Sequence, residues 1–246
     1  HDISLTADDR YVVLAIFPLT APAAKMASGK GFLPQLEWKG KEKGGKTSLY
    51  VFDLHAVDEA YQAGDTAPDL SPVATYEGPP QFAYHHVNAF VRPVGAGGED
   101  EELVLDLTAY ESPDIISGEG GFAYIPVVQD PSLRRRVMSK AGETYRYRLP
   151  LPEGGKRSSK SVIKVTPTRL AAVDSSGSVY DGELHRIDPR RAGKAYRYSY
   201  CFTAYAGQGE DRGNWLEWAI VKLDTEKAER ISISGSGSGS GSGEDK

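Results

Sequence analysis

Two adjacent histidines are the residues of this sequence best suited to chemistry. They are His85 and His86 in the stretch YHHVNAF at positions 84–90, and the chain contains five histidines in all. The aromatic and β-branched residues around them predict a strand whose side chains are partly buried. A buried imidazole needs a partner for each ring nitrogen, and neutral imidazole is a common ligand of transition metals. The pair is therefore a candidate metal-binding site.

Strand geometry restricts what the pair can do. Successive side chains of a strand point to opposite faces of the sheet, so only one of the two imidazoles can face a given metal ion. The other histidine must then have a separate role, and local chemistry does not choose between them. His55 and His185 have no potential metal ligand beside them in the sequence, and we interpret His55 as a surface residue.

The elements that position these residues are predicted to be strands, because the whole sequence indicates an all-β protein with few short helices. Apolar, β-branched and aromatic runs, such as the cleanly alternating 102–107, are separated by turns rich in Gly, Pro, Asp and Ser. Helical turns are expected only at 57–63 and 130–139. An antiparallel sandwich, a barrel and a propeller all fit this pattern. Strands are predicted at 11–17, 48–54, 81–91, 102–107, 122–128, 144–151, 161–165, 170–173, 195–204 and 215–223.

Composition and the absence of several motifs exclude other kinds of protein. The net charge of the 246-residue chain is −5, whereas a nucleic-acid-binding surface needs clustered Lys and Arg. The single cysteine, Cys201, excludes an intramolecular disulfide and a cysteine-rich zinc site. The sequence contains no His-Glu-x-x-His motif, no phosphate-binding P-loop and no Gly-x-Ser-x-Gly elbow. Residues 234–246 form a Gly/Ser repeat with a charged tip, which predicts a flexible linker or insertion after a domain at 1–233.

Four stretches, taken together and in this order, resemble the carotenoid cleavage oxygenase family. That family includes enzymes that cleave carotenoids and apocarotenoids, a retinoid isomerase and the lignostilbene dioxygenases. Each stretch alone is a weak signal, but their shared order over residues 1–198 is specific, and the strand at 215–223 fits the next part of the family pattern. The stretches are HDI at 1–3 with the strand that ends at Pro18, HHVNAF at 85–90, LVLDLTAY at 103–110 and GELHRIDPRRAGKAYRY at 182–198.

The resemblance implies a portion of a seven-bladed β-propeller with a non-haem iron(II) ion, Fe(2+), held on its axis by four histidines. Matched position by position, His1 and His85 are iron ligands, and His86 fills a variable position of a His-x-x-Asn motif. Glu183 matches a glutamate that accepts the outer N–H of a ligand imidazole and fixes its tautomer. The other interpretation of Glu183 is an exposed acid beside a turn. The resemblance implies no catalytic residue beyond this iron site.

The sequence departs from the family pattern at several points. The family's first and fourth iron ligands have no counterpart, and the chain contains no His-Gly dipeptide. His185 stands where the family usually has proline, and Val91 stands where an acidic residue is common. Because the chain also begins at His1 rather than at methionine, we expect it to be a central piece of a longer protein. The other interpretations are a truncated product and a protein that lacks the activity.

The activity implied by the resemblance is the cleavage of a conjugated C=C bond of a carotenoid or apocarotenoid with O₂. The expected partners are an apolar polyene and O₂, and the products are aldehydes or ketones. The double histidine, the long loop after Pro18 and the LPLP stretch at 149–152 favour carotenoids over stilbenes, and stilbene cleavage stays an alternative. A non-catalytic propeller module that has lost its iron site is the alternative of another class, and a metal-free hydrolase or sugar-binding protein comes third.

The expected location is the cytoplasm. A single cysteine is typical of a reducing compartment, and no apolar run approaches the roughly 18 residues of a membrane-spanning helix. The family's substrates are dissolved in lipid, so the resemblance also implies peripheral membrane association as an open alternative.

Overall fold

The computed structural model describes residues 2–27, 35–95, 97–98, 100–117, 142–152, 161–173, 179–180, 182–206 and 216–229. Within these ranges the protein consists mostly of β-sheets with few short helices, which confirms the all-β prediction. The seven-bladed propeller stays a prediction. His1, the predicted strand at 122–128, the predicted helix at 130–139 and the Gly/Ser segment at 234–246 lie outside the described residues.

The strands are mostly short and cover most of the predicted positions. They are β1 Asp2–Leu5, β2 Tyr11–Ile16, β3 Leu19–Thr20, β4 Glu37–Trp38, β5 Thr47–Asp53, β6 Ala74–Gly78, β7 Phe82–Val94, β8 Asp100–Tyr110, β9 Glu143–Pro150, β10 Ile163–Lys164, β11 Thr168–Leu170, β12 Ala172–Val173, β13 Val179–Tyr180, β14 Glu183–Arg186, β15 Tyr198–Ala206 and β16 Leu216–Asp224.

The helices are few and short, as predicted. They are α1 Ala23–Met26, α2 Leu54–Gln62 and α3 Asp114–Ser117, with 3₁₀ turns at Lys41–Lys43 and Pro189–Arg191 and a helical turn at 225–229. The predicted helix at 57–63 is confirmed as α2, which begins earlier because the Asp53 carboxylate accepts a hydrogen bond from the Ala56 amide. No helix in the described ranges is long and apolar enough to cross a membrane.

The strands form three larger sheets and two strand pairs. The larger sheets have the orders β1-β2-β5-β6-β10, β11-β9-β8-β7 and β14-β15-β16, and the pairs are β3-β4 and β12-β13. Sequence neighbours within the larger sheets are antiparallel, as in β7–β8 and β8–β9, whereas β10 runs parallel to β6. Strands β7 and β8 carry two of the four motifs, so their sheet is the framework of the candidate site.

The main core joins the five-stranded and four-stranded sheets. Strands β2 and β5 alternate between buried and half-buried side chains, and for β5 the alternating sequence predicted this. Strand β8 differs, because every side chain from Glu102 to Tyr110 is buried. One face of β8 enters the main core, and the other lies beneath the segment 182–198 that carries the fourth motif. The fully buried core side chains include Val13, Leu49, Val51, Tyr76, Leu103, Leu105, Leu107, Tyr147 and Leu149.

Candidate metal centre

The pairing of β7 with β8 shifts register on each side of its histidines, at Tyr84 and at Val87. His85 lies opposite Thr108 on β8, and Asn88 lies opposite Asp106. Three positions separate the two residues on β7, whereas two positions separate their partners, so β7 carries an extra residue at Val87. Such bulges re-aim side chains and are frequent beside active sites. Here the bulge places His85 and Asn88 on one face of the sheet, which accounts for the His-x-x-Asn spacing within a strand.

The two adjacent histidines face opposite sides of the sheet, as strand geometry predicted. His86 lies opposite Leu107, a residue of the main core, whereas His85 lies opposite Thr108 on the other face. The Nδ1 atom of His86 is 2.5 Å from the Ser4 hydroxyl on β1. His86 therefore connects β7 to the strand that directly follows His1, and the pair does not clamp a single centre.

His85 contacts the glutamate that the fourth motif supplies. Its Nδ1 atom is 2.9 Å from Oε2 of Glu183, and the two side chains are 48% and 21% exposed. The other carboxylate oxygen, Oε1, accepts a hydrogen bond from the Tyr110 hydroxyl at 2.6 Å. The backbone N–H of Leu184 donates to Oε2 at 3.1 Å. Three donors from three different residues thus hold one carboxylate beside His85.

The backbone next to Glu183 is strained. Leu184 has φ 57°, in the left-handed region, and the pairing of β14 with β15 shifts register between Glu183 and Arg186. A non-glycine residue in this region costs about 1 kcal/mol or more, and such strain persists where the surroundings enforce it. In this conformation the Leu184 N–H donates to the Glu183 carboxylate, so the irregular backbone between Glu183 and Arg186 helps to orient the carboxylate.

Asn88 connects the second motif, at 85–90, to the fourth, at 182–198, through side-chain hydrogen bonds. Its Nδ2 donates to the carbonyls of Arg191 and Lys194 at 3.3 and 2.9 Å, and its Oδ1 accepts from the Gly193 N–H at 2.8 Å. The Gly193 carbonyl in turn accepts from the Ala7 N–H at 3.1 Å. Gly193 has φ 71°, and a Cβ atom there would lie 2.2 Å from the backbone nitrogen of Ala7. Only glycine fits this position, where three of the motifs meet.

A buried ion pair lies beneath the same segment. The side chains of Arg146 and Asp106 are 3% and 0% exposed. Their contact is bidentate: Nε and Nη2 of Arg146 donate to Oδ1 and Oδ2 of Asp106 at 2.9 and 2.8 Å. The Tyr196 hydroxyl donates to Asp106 at 2.7 Å, and Arg146 also donates to Glu229 at 2.8 Å. Burial lowers the pKa of Arg146, but the Asp106 carboxylate outweighs this and raises it. The sequence signal for this network is Asp106, the acid in the apolar run LVLDL at 103–107, and the network itself was not predicted.

His185 is a structural residue. It is buried, its Nε2 is 3.0 Å from the Thr144 hydroxyl, and its Nδ1 is 3.0 Å from the Ser199 hydroxyl. Burial lowers the pKa of His185, which favours the neutral ring. Its ring links β14 to β9 and β15 at the position where the family usually has proline. His55 is exposed and its Nε2 is 3.0 Å from the Asp8 carbonyl, which confirms the surface interpretation.

Aromatic side chains line the approach to His85. The Tyr84 ring is 6.0 Å from the His85 ring, 5.0 Å from Phe82 and 6.2 Å from Tyr110. Leu19, Trp38, Ile115 and Ile116 pack into the same cluster. This aromatic cluster gives the His85 side of the site an apolar wall.

One imidazole and its carboxylate partner are in place for a metal ion. Among the described residues no group of three or more His, Cys, Asp or Glu side chains is arranged to hold a metal. If Glu183 accepts the Nδ1 proton of His85, the lone pair of Nε2 is left for a ligand, and this donor suits iron(II). The described residues thus fit one histidine ligand of an iron site together with its carboxylate partner. The ligand roles of His1 and His85 and the supporting role of Glu183 stay predictions.

Comparison with known proteins gives the family. The family described as "Retinal pigment epithelial membrane protein" matches residues 1–240. Torulene dioxygenases of Fusarium fujikuroi and of Gibberella fujikuroi are each 31% identical to the chain over 137 residues. The matched part is 52% of this chain and 22% of the length of each relative. The chain therefore belongs to the retinal pigment epithelial membrane protein family and thus to the carotenoid cleavage oxygenases, as the four motifs predicted.

Proposed function

We propose that the protein is a non-haem iron(II) dioxygenase that cleaves a conjugated C=C bond of a carotenoid or apocarotenoid with O₂. The observation that carries the proposal is the contact between His85 Nδ1 and Glu183 Oε2 at 2.9 Å. A carboxylate behind an imidazole is the usual arrangement at metal-bound histidines, because it fixes the tautomer and makes the free nitrogen a stronger donor.

The residues that would hold the iron are His85, His1 and further ligands beyond the described residues. Nε2 of His85 makes no hydrogen bond within the described part of the chain, and the side chain is 48% exposed, so the nitrogen is accessible. Iron(II), when bound, would activate O₂ next to the double bond. His86 supports the site indirectly, because its contact with Ser4 holds β1, the strand that begins directly after His1.

The protein's own residues orient the substrate and the ligand. In the neutral ring of His85, Glu183 accepts the Nδ1 proton and so selects the tautomer whose lone pair is on Nε2. The aromatic cluster around Tyr84 offers an apolar surface to a polyene beside His85. In the net reaction one C=C bond and the O–O bond break and two C=O bonds form, so no added reductant is needed.

Three considerations support a carotenoid rather than a stilbene. The torulene dioxygenases are named for a carotenoid, and they match 52% of this chain. The double histidine and the LPLP stretch at 149–152 point in the same direction. The proposal includes a cytoplasmic location with peripheral membrane contact, since such a substrate is extracted from lipid. Co-sedimentation of the full-length protein with vesicles tests that contact.

The experiment for the activity is a cleavage assay under ¹⁸O₂. The full-length protein is loaded anaerobically with iron(II) and offered a carotenoid, an apocarotenoid and a hydroxystilbene in separate reactions. We expect carbonyl products from the carotenoid or the apocarotenoid, with ¹⁸O in both halves. Cleavage of the stilbene alone would show that the substrate is a stilbene rather than a carotenoid. A folded protein that binds no iron and cleaves nothing would favour the non-catalytic module.

A further inference from the structure

The Tyr110 hydroxyl holds the side of Glu183 that faces away from His85. We propose that Tyr110 is a positioning residue of the iron site, which fixes the Glu183 carboxylate in the orientation that receives the Nδ1 proton of His85. The inference rests on the proposed function, because it assigns a role at the same site. It gives a role to a residue for which the family resemblance implies none.

The hydrogen bonds of Glu183 divide between its two oxygens. Oε2 meets His85 at 2.9 Å and the Leu184 N–H at 3.1 Å, whereas Oε1 meets only the Tyr110 hydroxyl, at 2.6 Å, within the described residues. The terminal torsion of glutamate has a broad, shallow energy profile, so rotamer preference does not set the carboxylate plane. A donor on Oε1 restricts that torsion. The two contacts at Oε2 leave the carboxylate plane free to rotate, and the Tyr110 hydroxyl on Oε1 restricts that rotation.

The Tyr110 ring is itself held in place, so its hydroxyl is a fixed point. The side chain is 6% exposed, lies at the end of β8 opposite Phe82, and packs against the Phe82 and Tyr84 rings at 6.3 and 6.2 Å. Burial and the neighbouring Glu183 both raise the pKa of the Tyr110 hydroxyl, so it remains a donor throughout the working range of pH. A hydroxyl bound to a carboxylate at this distance is a strong, charge-assisted contact.

The consequence for His85 is the choice of tautomer. A carboxylate held in the right plane accepts the Nδ1 proton and leaves Nε2 for the metal, whereas a rotated carboxylate permits the tautomer with the proton on Nε2. Tyr110 would thus act on metal binding through two hydrogen bonds in series, from Tyr110 to Glu183 and from Glu183 to His85. Tyr110 is therefore a positioning residue that acts through Glu183 rather than a ligand of the metal.

The variant Tyr110→Phe in the full-length protein removes the hydroxyl and keeps the ring. The first readout is the side-chain ¹⁵N spectrum of His85 in metal-free protein, where we expect the form protonated on Nδ1 to lose its predominance. The second is the affinity for iron(II) and for cobalt(II), which should fall by up to about tenfold, the lower end of the effect of groups behind a metal ligand. A structural role alone would leave the tautomer unchanged.

Tyr147→Phe is the matched control. Tyr147 is also buried, and its hydroxyl donates to Gln81 in the main core. The control should lose stability and keep both the His85 tautomer and the metal affinity of the wild type. Equal tautomers in wild type and Tyr110→Phe would overturn the inference. If the wild type binds no metal, the proposed function fails, while the tautomer comparison still decides the role of Tyr110.

A second measurement covers a Tyr110→Phe variant that does not fold. The hydroxyl proton of Tyr110 should give a resonance protected from exchange in the wild type and should lose that protection in Glu183→Ala. Rapid exchange in the wild type would show that the contact does not hold the carboxylate, and the inference would be wrong.

Discussion

Replacing Glu183 by glutamine changes one atom and removes the charge that faces His85. The carboxylate accepts from His85, Tyr110 and the Leu184 N–H. Because Leu184 donates on the same side as His85, the amide oxygen of the introduced glutamine should turn to that side and its NH₂ group to Tyr110. The contact with His85 thus survives geometrically but becomes neutral.

The expected loss follows from that change. Hydrogen bonds to charged groups contribute about 1.5–3 kcal/mol and neutral ones about 0.5–1.5 kcal/mol, a difference of roughly 1–1.5 kcal/mol. The His85 side chain is 48% exposed, so solvent screens part of the difference and favours its lower end. A factor of ten corresponds to about 1.4 kcal/mol, so iron(II) affinity should fall by up to about tenfold, near the low end of the range for such residues.

The assay is an anaerobic iron(II) titration of the full-length wild type and of Glu183→Gln, followed by O₂-dependent turnover of a carotenoid. Glu143→Gln is the matched control, because Glu143 also accepts from a tyrosine hydroxyl, that of Tyr145, and pairs with Arg169 rather than with a histidine. The control should bind iron(II) like the wild type. Unchanged iron affinity in Glu183→Gln, or an equal loss in the control, would refute the assigned role of Glu183.

Three further predictions concern the residues that support the site. His86→Ala should retain most of the bound iron and lower the free energy of unfolding by about 1 kcal/mol, since a hydrogen bond to β1 is lost; loss of all iron would contradict this. Gly193→Ala should destabilise the protein by about 1–3 kcal/mol more than Gly44→Ala in urea unfolding, because both glycines have positive φ but only at position 193 would a Cβ strike backbone; equal losses would refute the close approach. Burial lowers the pKa of His185 in the folded protein below its unfolded value of 6.5. The neutral ring therefore stabilises the fold above pH 6.5, and this contribution is lost as the pH falls through the folded-state pKa. His185→Gln should therefore make the stability of the protein less sensitive to pH between about 7 and 5, and an unchanged slope would count against the burial of a neutral ring.

The sequence was informative wherever a strand has one buried face. Strand β5 alternates as predicted, because it presents one side to the core and the other to partly exposed surroundings, whereas the alternating segment 102–107 of β8 is buried on both faces. Strand β6 was missed because its end, YEGPP, has the composition of a turn. Gly78 belongs to the strand because it pairs with Thr47 on β5, and glycine suits the position because a Cβ there would lie 2.8 Å from the Tyr147 ring.

The candidate site was predictable in its residues but not in its contacts. The family resemblance selected His85 and Glu183, which lie 98 positions apart and contact each other in the structure. The bulge at Val87 depends on the register with β8, which no local pattern encodes. The partners of His185 were likewise hidden, because they are hydroxyls 41 and 14 positions away. Such contacts arise from the packing of sheets, so sequence periodicity carries no signal for them.

The iron stoichiometry of the full-length protein, measured beside that of His85→Ala, tests the central claim most directly. Both proteins are reconstituted anaerobically with iron(II), freed of excess metal and analysed for iron per chain, and circular dichroism checks that both are folded. The proposal predicts one iron per chain in the wild type and none in His85→Ala. Iron retained by a folded His85→Ala, or carotenoid cleavage by an iron-free wild type, would contradict it.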